Sequence, residues 1–451
     1  MLAHSIFRTY DVRGEYGKDL TDEAGYKVAK AFAKFSGAKQ VVLGSDCRMS
    51  SPALRAQVIR GLLESSVDVV DIGFVSTDVL YFATWFYQFA GGIMVTASHM
   101  PKQFNGLKFL RLNAKGMLTP IGKGVGMEEL EEIAQSESWQ QAEKPGKLTE
   151  KNVWDDFTKF TRAFVDIKNI KPMKVVMDAG NGMGGPTAER VYADLGLNIV
   201  PLYFKPDGNF PNHPANPIEE ENRRDVVASV KKESADLGLA WDADCDRIYF
   251  IDEKGNFVNG DFITALLAIY FLEKNPGAGI VYDIRASLAV KDWVEKMGGK
   301  AHMERVGHTY IKKRMQETKS IFGGEISGHY YFASNAYMEN GFAPALIIME
   351  LMSVKNKKLS ELVAELGDYY VSGEINFKVA DVNTVLKKLE SQYADAKEIL
   401  RMDGLSFAFA DWRFNVRPSA NDPVLRLNLE AVSEGVMKEK TKEISDIIQM
   451  P

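Results

Sequence analysis

Short β-branched runs alternate with segments of helical period over most of this chain, which is the pattern of βαβ units. Three successive stretches show it, so the sequence predicts three similar mixed α/β domains and suggests duplication of one architecture. The predicted strands lie at 41–46, 67–73, 92–98, 173–178, 197–204, 235–241, 279–283, 300–306 and 320–325. The predicted helices lie at 53–64, 79–89, 184–195, 222–233 and 340–354.

The pattern changes at Val371, where the strand-like runs GEINFKV, LSFAFAD, WRFNVR and VLRLNLEAV follow one another with helices before and after them. This change predicts a separate C-terminal α+β domain. The polar stretch from Ser136 to Lys151 is typical of a linker. We therefore predict four domains, at 1–146, 147–251, 252–370 and 371–451.

One uncharged segment, Val79 to Pro101, is long enough to span a bilayer. Gln88 and the Gly91-Gly92 pair interrupt it, and polar Ser98 and His99 lie near its end. These breaks favour a buried helix followed by a buried strand over a membrane span.

Composition and charge limit the classes of function that this protein can have. The 451 residues are 45% hydrophobic and 26% charged, as in globular proteins, and 55 basic against 61 acidic residues give a net charge of −6. This balance offers no basic excess for a nucleic acid or an anionic membrane. With only Cys47 and Cys245 and a polar N-terminus, we expect a cytoplasmic protein.

Three carboxylates alternate where the apolar run ADLGLAW ends, at Asp242, Asp244 and Asp246. Such close carboxylates repel each other unless a cation neutralises them, and their oxygens suit Mg²⁺. Arg247 stands where a calcium-binding EF-hand loop requires glycine, which argues against that class. An aspartyl-phosphate phosphatase or mutase with Asp242 as nucleophile remains an alternative, although Asp246 replaces the threonine of its D-x-D-x-T motif.

Three further loops carry candidate chemistry, each with a structural alternative. Ser98 and His99 follow a predicted strand, with Lys108 ten residues after the serine, and form either a nucleophile or phosphate carrier or a turn between strands. The loop GGEISGH carries groups that can bind sugar hydroxyls, or is a plain turn. The loop RPSANDP offers the donors of a phosphate site, or is a hairpin turn.

Two other motifs have simpler explanations. Gly180 to Gly185 fits the dinucleotide pattern G-x-G-x-x-G, but Pro186 follows it and no acidic residue ends the next predicted strand, so we interpret it as a tight strand-to-helix turn. Val306-Gly307-His308-Thr309 has the appearance of a helix start with a basic face behind it.

Together and in this order, FRTYDVRG, TASHMPKQFNGLK, DADCDR, GEISGH and RPSANDP resemble the loops of the α-D-phosphohexomutase superfamily, one in each expected region of the whole chain. The segments DGNFPNHPANP and ADWRFNVRPS are similar to its bacterial phosphomannomutase branch. The resemblance implies four domains around a central cleft. It also implies an isomerase that interconverts mannose 6-phosphate and mannose 1-phosphate, with glucose phosphates as further substrates, and that supplies GDP-mannose and polysaccharide synthesis.

The resemblance also implies roles for individual residues. Ser98 would carry the phosphate and, with the three aspartates, hold Mg²⁺, while a hexose 1,6-bisphosphate is intermediate and activator. Arg13 and Arg247 would neutralise charge, and His99, Lys108 and His308 would move protons. The implied substrate-binding residues are Tyr10, Arg285, Gly307, Glu325, Ser327, His329, Arg417, Ser419 and Asn421.

Two departures from the family pattern affect these expectations. Met100 replaces the usual asparagine after the Ser-His pair, and Ala420-Asn421-Asp422 replaces Asn-Thr-Glu. The second change puts substrate affinity in doubt rather than the reaction type. We expect a monomer or weak dimer that binds hexose phosphates and neither nucleic acid nor membrane; a non-catalytic sugar-phosphate binding protein is the remaining alternative.

Overall fold

The computed structural model describes residues 2–113, 116–139, 142–418 and 424–449. The strands are β1 (Val12–Glu15), β2 (Gln40–Ser45), β3 (Asp68–Phe74), β4 (Gly91–Val95), β5 (Phe104–Leu112), β6 (Leu118–Pro120), β7 (Leu148–Glu150), β8 (Lys174–Asp178), β9 (Asn198–Leu202), β10 (Leu237–Trp241), β11 (Ile248–Ile251), β12 (Phe257–Val258), β13 (Gly279–Asp283), β14 (Lys300–Glu304), β15 (Phe322–Gly324), β16 (Tyr330–Phe332), β17 (Met338–Glu339), β18 (Tyr370–Phe377), β19 (Glu398–Leu400), β20 (Leu405–Ala408), β21 (Trp412–Pro418) and β22 (Leu425–Ala431).

The α-helices are α1 (Asp22–Ser36), α2 (Ser51–Leu63), α3 (Thr77–Phe86), α4 (Met127–Ser136), α5 (Trp154–Arg162), α6 (Gly184–Val191), α7 (Arg224–Glu233), α8 (Gly260–Lys274), α9 (Leu288–Lys296), α10 (His308–Thr318), α11 (Ala343–Lys355), α12 (Leu359–Ala364), α13 (Val382–Gln392) and α14 (Glu434–Gln449). Short 3₁₀ helices lie at His4–Ile6, Ile167–Asn169, Glu220–Arg223 and Ala333–Asn335.

The chain packs as two compact units. The first contains residues 1–259 and 327–360, and the second contains 260–326 and 361–451. The domain boundaries drawn from the sequence stay a prediction.

Three parts of the chain share one strand order. The parallel sets β3-β2-β4, β9-β8-β10 and β14-β13-β15 each place the first strand between the second and the third. Ligands of such sheets bind beyond the carboxyl ends of the strands, where the order reverses. The loops that carry the candidate residues Ser98, Asp242, Arg285 and Glu325 all follow strands of these sets.

The sheets are mixed rather than purely parallel. In the first unit, β1 and β4 pair antiparallel with β5, and β11 pairs antiparallel with β10. Strand β5 escaped the sequence analysis because buried Asn105 and Lys108 interrupt its apolar pattern. The predicted linker at 136–151 likewise contains β7, which extends the first sheet by pairing parallel with β3.

The second unit contains a wholly antiparallel sheet, in the order β18-β22-β21-β20-β19. Its buried face packs Phe414 and Leu427 against α13 and α14, with Leu389 and Ile444 in the same core. This arrangement confirms the α+β fold predicted for the C-terminal part.

The uncharged segment at 79–101 forms most of α3 and the whole of β4, as predicted. All five residues of β4 are buried, which explains its unbroken apolar character. Within the described ranges, no helix is long and apolar enough to cross a membrane.

The glycine-rich turn after β8 is filled by protein backbone. Gly180 has a φ of +51°, which few other residues adopt readily. A Cβ at Gly182 would lie 2.5 Å from the Ala243 carbonyl oxygen, and one at Gly185 would lie 2.0 Å from that of Phe204. The glycines therefore allow chain segments to pack closely here. This packing agrees with our interpretation of the motif as a structural turn.

A buried ion pair lies beside this turn and predicts that the stability of the protein depends on pH. His213 Nε2 lies 3.0 Å from Asp178 Oδ2. Burial lowers the pKa of His213, but the hydrogen bond to Asp178 and its charge outweigh burial, so the pKa is raised. The pair therefore contributes stability below the ordinary histidine pKa, and this contribution is lost as pH rises through the pKa of the folded state.

We expect His213→Gln to reduce the loss of stability between about pH 5.5 and about pH 8.5, measured by urea unfolding. His302→Gln is the matched control, because burial and the charges of Arg314 and Lys300 lower the pKa of His302. Its removal should change the pH dependence in the opposite direction. An unchanged pH dependence in His213→Gln would contradict the assignment.

Candidate active site

Hydrogen bonds to two other segments of the chain hold the acidic loop after β10 in place. Trp241 Nε1, at the end of β10, donates a hydrogen bond to the Gly341 carbonyl at 2.7 Å. Met183 N donates to the Ala243 carbonyl at 2.8 Å. Cys245 has a φ of +62°, so the chain turns sharply between the second and third aspartates. This turn directs three carboxylates toward one point.

The side chains of Asp242, Asp244 and Asp246 are buried, and each offers an oxygen within 4.8 Å of the others. Burial and the charges of Asp246 and Asp244 raise the pKa of Asp242 well above its ordinary value. Among the described residues, Asp244 Oδ1 and Asp246 Oδ1 have no hydrogen-bond partner. Crowded carboxylates with unused buried oxygens fit a divalent cation, and an all-oxygen set suits Mg²⁺.

Ser98 meets this cluster directly. It lies just beyond β4 with a φ of +50°, and its Oγ donates to Asp242 Oδ2 at 2.8 Å. The Ser98 amide donates to Thr96 Oγ1 at 2.9 Å. The structure thus joins the serine loop and the acidic loop, which lie 144 residues apart in sequence.

Lys108 is placed by β5, with its Nζ 2.7 Å from Asp244 Oδ2 and 2.6 Å from Asp246 Oδ2. Burial lowers the pKa of Lys108, but the charges of the two carboxylates outweigh burial and raise it well above its usual value. Lys108 is therefore an ammonium in this arrangement. It can donate a proton or a hydrogen bond but cannot act as a base there.

His99 has the opposite electrostatic setting. Burial and then the positive charges of Arg247 and Arg13 lower the pKa of His99 well below its ordinary value. Its Nδ1 lies 3.3 Å from Ser98 Oγ. Arg13 is paired with Asp11 near the start of β1. A neutral imidazole beside the hydroxyl can accept a proton.

His329 joins the same group in the first unit. Arg247 Nε donates to His329 Nε2 at 3.3 Å, so the ring proton belongs on Nδ1. Nδ1 lies 3.0 Å from Ser327 Oγ, which can accept that proton in a hydrogen bond. Tyr10 lies half-buried in the turn before β1.

The second unit holds Arg285, Gly307, His308, Glu325 and Arg417. Arg285 Nη2 lies 3.7 Å from Glu325 Oε2, which accepts a hydrogen bond from Gly307 N at 3.3 Å. His308 is the first residue of α10, as predicted, and its Nδ1 lies 3.2 Å from Lys312 Nζ. Ser419 and Asn421 lie outside the described residues, as do Ala420 and Asp422.

Glu374 accepts hydrogen bonds from three arginines. It was not predicted as a site residue from the sequence. Its Oε2 accepts from Arg285 Nη1 and Arg417 Nη2, both at 3.2 Å, and its Oε1 accepts from Arg426 Nη1 at 2.8 Å. Burial raises the pKa of Glu374, but the charges of Arg285, Arg417 and Arg426 outweigh it and lower the pKa to about 2. Arg417 Nε is buried without a hydrogen-bond partner among the described residues.

We expect Glu374→Gln to lower the free energy of unfolding of the second unit by about 3 kcal/mol at neutral pH, because it leaves three arginines without their shared anion. Inorganic phosphate should stabilise the variant more than the wild type, since it can replace the lost charge. Glu390→Gln is the control, because Glu390 pairs with Arg401 on the surface, and we expect a change below about 1 kcal/mol. Equal stability of Glu374→Gln and wild type would contradict the role of Glu374.

Other residues that support the acidic loop and the serine loop in the first unit were not predicted from the sequence. Thr77 Oγ1 donates to Asp244 Oδ2 at 2.6 Å, and Thr77 N donates to the Asp244 carbonyl. Asp46 and Arg48 lie fully buried after β2. Charged residues directly after an apolar strand were a usable signal for these two. Thr77 is the first residue of α3, and its position in the sequence gave no signal for this contact.

Comparison with protein families covers nearly all of the chain. Models of phosphoglucomutase/phosphomannomutase alpha/beta/alpha domains I, II and III match residues 4–139, 155–255 and 259–370, and the model of the C-terminal domain matches 374–447. The chain belongs to the phosphoglucomutase/phosphomannomutase family. Membership confirms the resemblance inferred from the loops, and the four matches confirm three α/β domains followed by a C-terminal domain.

Full-length relatives within this family are similar to the chain. A phosphomannomutase of Escherichia coli (strain K12) is 38% identical over 454 residues, which cover 98% of this chain and 99% of that protein. A protein named phosphohexose mutases from Xanthomonas campestris pv. campestris (strain B100) is 36% identical over 446 residues, covering 98% of this chain and 99% of its own. The crystal structure of a phosphoglucomutase/phosphomannomutase family protein from Burkholderia thailandensis superposes with a TM-score of 0.89 at 30% identity, covering 100% of this chain and 98% of that chain.

Proposed function

We propose that this family member is a phosphomannomutase, an isomerase that interconverts mannose 6-phosphate and mannose 1-phosphate and also accepts glucose phosphates. The observation that carries the proposal is the hydrogen bond of 2.8 Å from Ser98 Oγ to Asp242, inside a cluster of three buried carboxylates. Relatives that are named phosphomannomutase match almost the whole chain, and they support mannose phosphates as the substrates.

Ser98 carries the phosphoryl group in this mechanism. The free hydroxyl of the sugar phosphate attacks phosphorus, a new P–O bond forms to the sugar, and the bond between phosphorus and Ser98 Oγ breaks. The sugar hydroxyl loses a proton and Ser98 Oγ gains one, and we assign these proton transfers to neutral His99, whose Nδ1 lies 3.3 Å from that Oγ, and to the Lys108 ammonium. The product of this half-reaction is a hexose 1,6-bisphosphate.

The bisphosphate returns its other phosphate to Ser98 in the second half-reaction, so each sugar phosphate must bind in two orientations. Asp242, Asp244, Asp246 and Ser98 would hold Mg²⁺, which supplies Lewis-acid stabilisation of charge on the transferring phosphoryl oxygens. Arg13 and Arg247 would offset the remaining charge. We assign substrate recognition to Tyr10, Ser327 and His329 in the first unit and to Arg285, Gly307, Glu325, Arg417, Ser419 and Asn421 in the second. We assign to His308 the role in proton transfer that the resemblance implies.

Phosphorus NMR tests the proposal. The purified protein is incubated with Mg²⁺, a trace of glucose 1,6-bisphosphate as activator, and either mannose 1-phosphate or glucose 1-phosphate. We expect the 6-phosphate signal to appear without inorganic phosphate, and the two rates rank the sugars. Release of inorganic phosphate would favour the aspartyl-phosphate alternative, and no change with either sugar would favour a binding protein without activity.

A further inference from the structure

Arg48 is a fully buried arginine behind the serine loop, and each of its five N–H groups has an acceptor. Nε donates to Asp46 Oδ2 at 3.1 Å, and the two terminal nitrogens donate to four backbone carbonyls at 2.5–3.0 Å. These carbonyls belong to Ser98, Met100, Pro101 and Phe104. One side chain therefore fixes the whole turn that follows Ser98.

Asp46 links the Arg48 guanidinium, through Thr96, to the backbone N–H of Ser98. Its Oδ1 accepts from the Arg48 amide at 3.0 Å and from Ser51 Oγ at 2.7 Å, and its Oδ2 accepts from Thr96 Oγ1 at 2.7 Å. Thr96 Oγ1 in turn accepts from the Ser98 amide at 2.9 Å. The N–H and the C=O of Ser98 are thus both held by the pair of Asp46 and Arg48.

Ser98 needs such support because its backbone is left-handed, with a φ of +50°. This conformation costs a residue other than glycine about 1–2 kcal/mol and persists only where its surroundings impose it. Glycine would adopt it freely but has no hydroxyl group. The direction of Ser98 Oγ toward Asp242 depends on this backbone conformation. The hydrogen bonds that impose the conformation therefore also orient the Ser98 hydroxyl.

We propose that Arg48 is a positioning residue for phosphoryl transfer, acting by holding the Ser98 loop in its left-handed turn through four backbone carbonyls. This role rests on the proposed function, because it assumes that Ser98 carries the phosphate. Only a planar guanidinium has five donors in the required arrangement, whereas a lysine has three on a single nitrogen. The contact with Met100 uses its backbone carbonyl alone, so the unusual methionine leaves this support intact.

The test compares Arg48→Lys with the control Arg55→Lys. Arg55 lies in α2 and pairs with Asp71 of β3 rather than with the carbonyls of the serine loop. For Arg48→Lys we expect kcat, and the rate at which glucose 1,6-bisphosphate phosphorylates Ser98, to fall by about 10²-fold or more, because a small displacement of a reacting atom has an effect of that size. KM for the hexose phosphate should stay within about twofold, since Arg48 is buried behind the loop. Arg55→Lys should keep both constants.

Intact-mass measurement of phosphorylated protein, corrected for the folded fraction, separates positioning from stability. If folded Arg48→Lys is phosphorylated as fast as wild type, or if only KM changes, the proposal is overturned. If wild-type Ser98 takes up no phosphate, the proposed function fails and this role fails with it.

A milder variant covers the case in which Arg48→Lys does not fold. Ser51→Ala removes one hydrogen bond that holds Asp46, and we expect kcat to fall by about fivefold at unchanged KM. A Ser51→Ala protein with the kcat of wild type would overturn the proposal in that case.

Discussion

Replacing Ser98 by alanine is expected to lower mutase activity by about 10⁴-fold or more, because the variant has no atom that can carry the phosphoryl group between the two half-reactions. The loss should appear in kcat, and intact-mass measurement after incubation with glucose 1,6-bisphosphate should show no added phosphate. Stability should change little, since Ser98 Oγ makes one short hydrogen bond, to Asp242.

The matched control is Ser65→Ala in the same unit, where the hydroxyl donates to the Gly61 carbonyl at 2.8 Å. It should keep wild-type activity and labelling. The same experiment separates Ser98 from Asp242 as the nucleophile. Phosphate incorporation that survives Ser98→Ala and disappears in Asp242→Asn would establish the aspartyl-phosphate alternative instead.

Asp244→Asn is expected to lower kcat/KM by about 10³-fold at a fixed concentration of Mg²⁺, because metal assistance contributes several kcal/mol to such a transition state. Asp244 is central to the cluster, since its Oδ2 accepts from both Lys108 and Thr77 while its Oδ1 has no partner among the described residues. Its neutralisation weakens the metal site and also removes one of the two carboxylates that pair with the Lys108 ammonium.

Calorimetric titration with Mg²⁺ measures the weakened binding without reference to activity. A chelator should abolish wild-type activity and added Mg²⁺ should restore it, whereas the variant should recover only in part at high Mg²⁺. Asp225→Asn is the control, because Asp225 lies in the first turn of α7 and accepts a hydrogen bond from the Tyr203 hydroxyl at the surface. Unchanged Mg²⁺ affinity in Asp244→Asn would remove Asp244 from the ligand set.

The sequence by itself determined the α/β character of this protein, many of its buried strands and the position of its acidic loop. Buried parallel strands such as β4 and β10 are apolar throughout, so they stand out in the pattern, and the polar residues that follow them mark the loops beyond their carboxyl ends. Asp242, Asp244 and Asp246 lie within one loop, so their repulsion and their preference for a hard cation could be inferred from spacing alone.

The tertiary structure decided which distant groups meet. Lys108 contacts Asp244 across 136 residues, and this contact makes it an ammonium rather than a base. Lys108, which makes this contact, is one of the two buried polar residues that hid strand β5 in the sequence. Arg48 and Glu374 are similar cases, because hydrogen bonds to distant carbonyls and arginines give each its role. Local patterns specify period and burial, whereas these partners depend on strand order, which only the packed chain establishes.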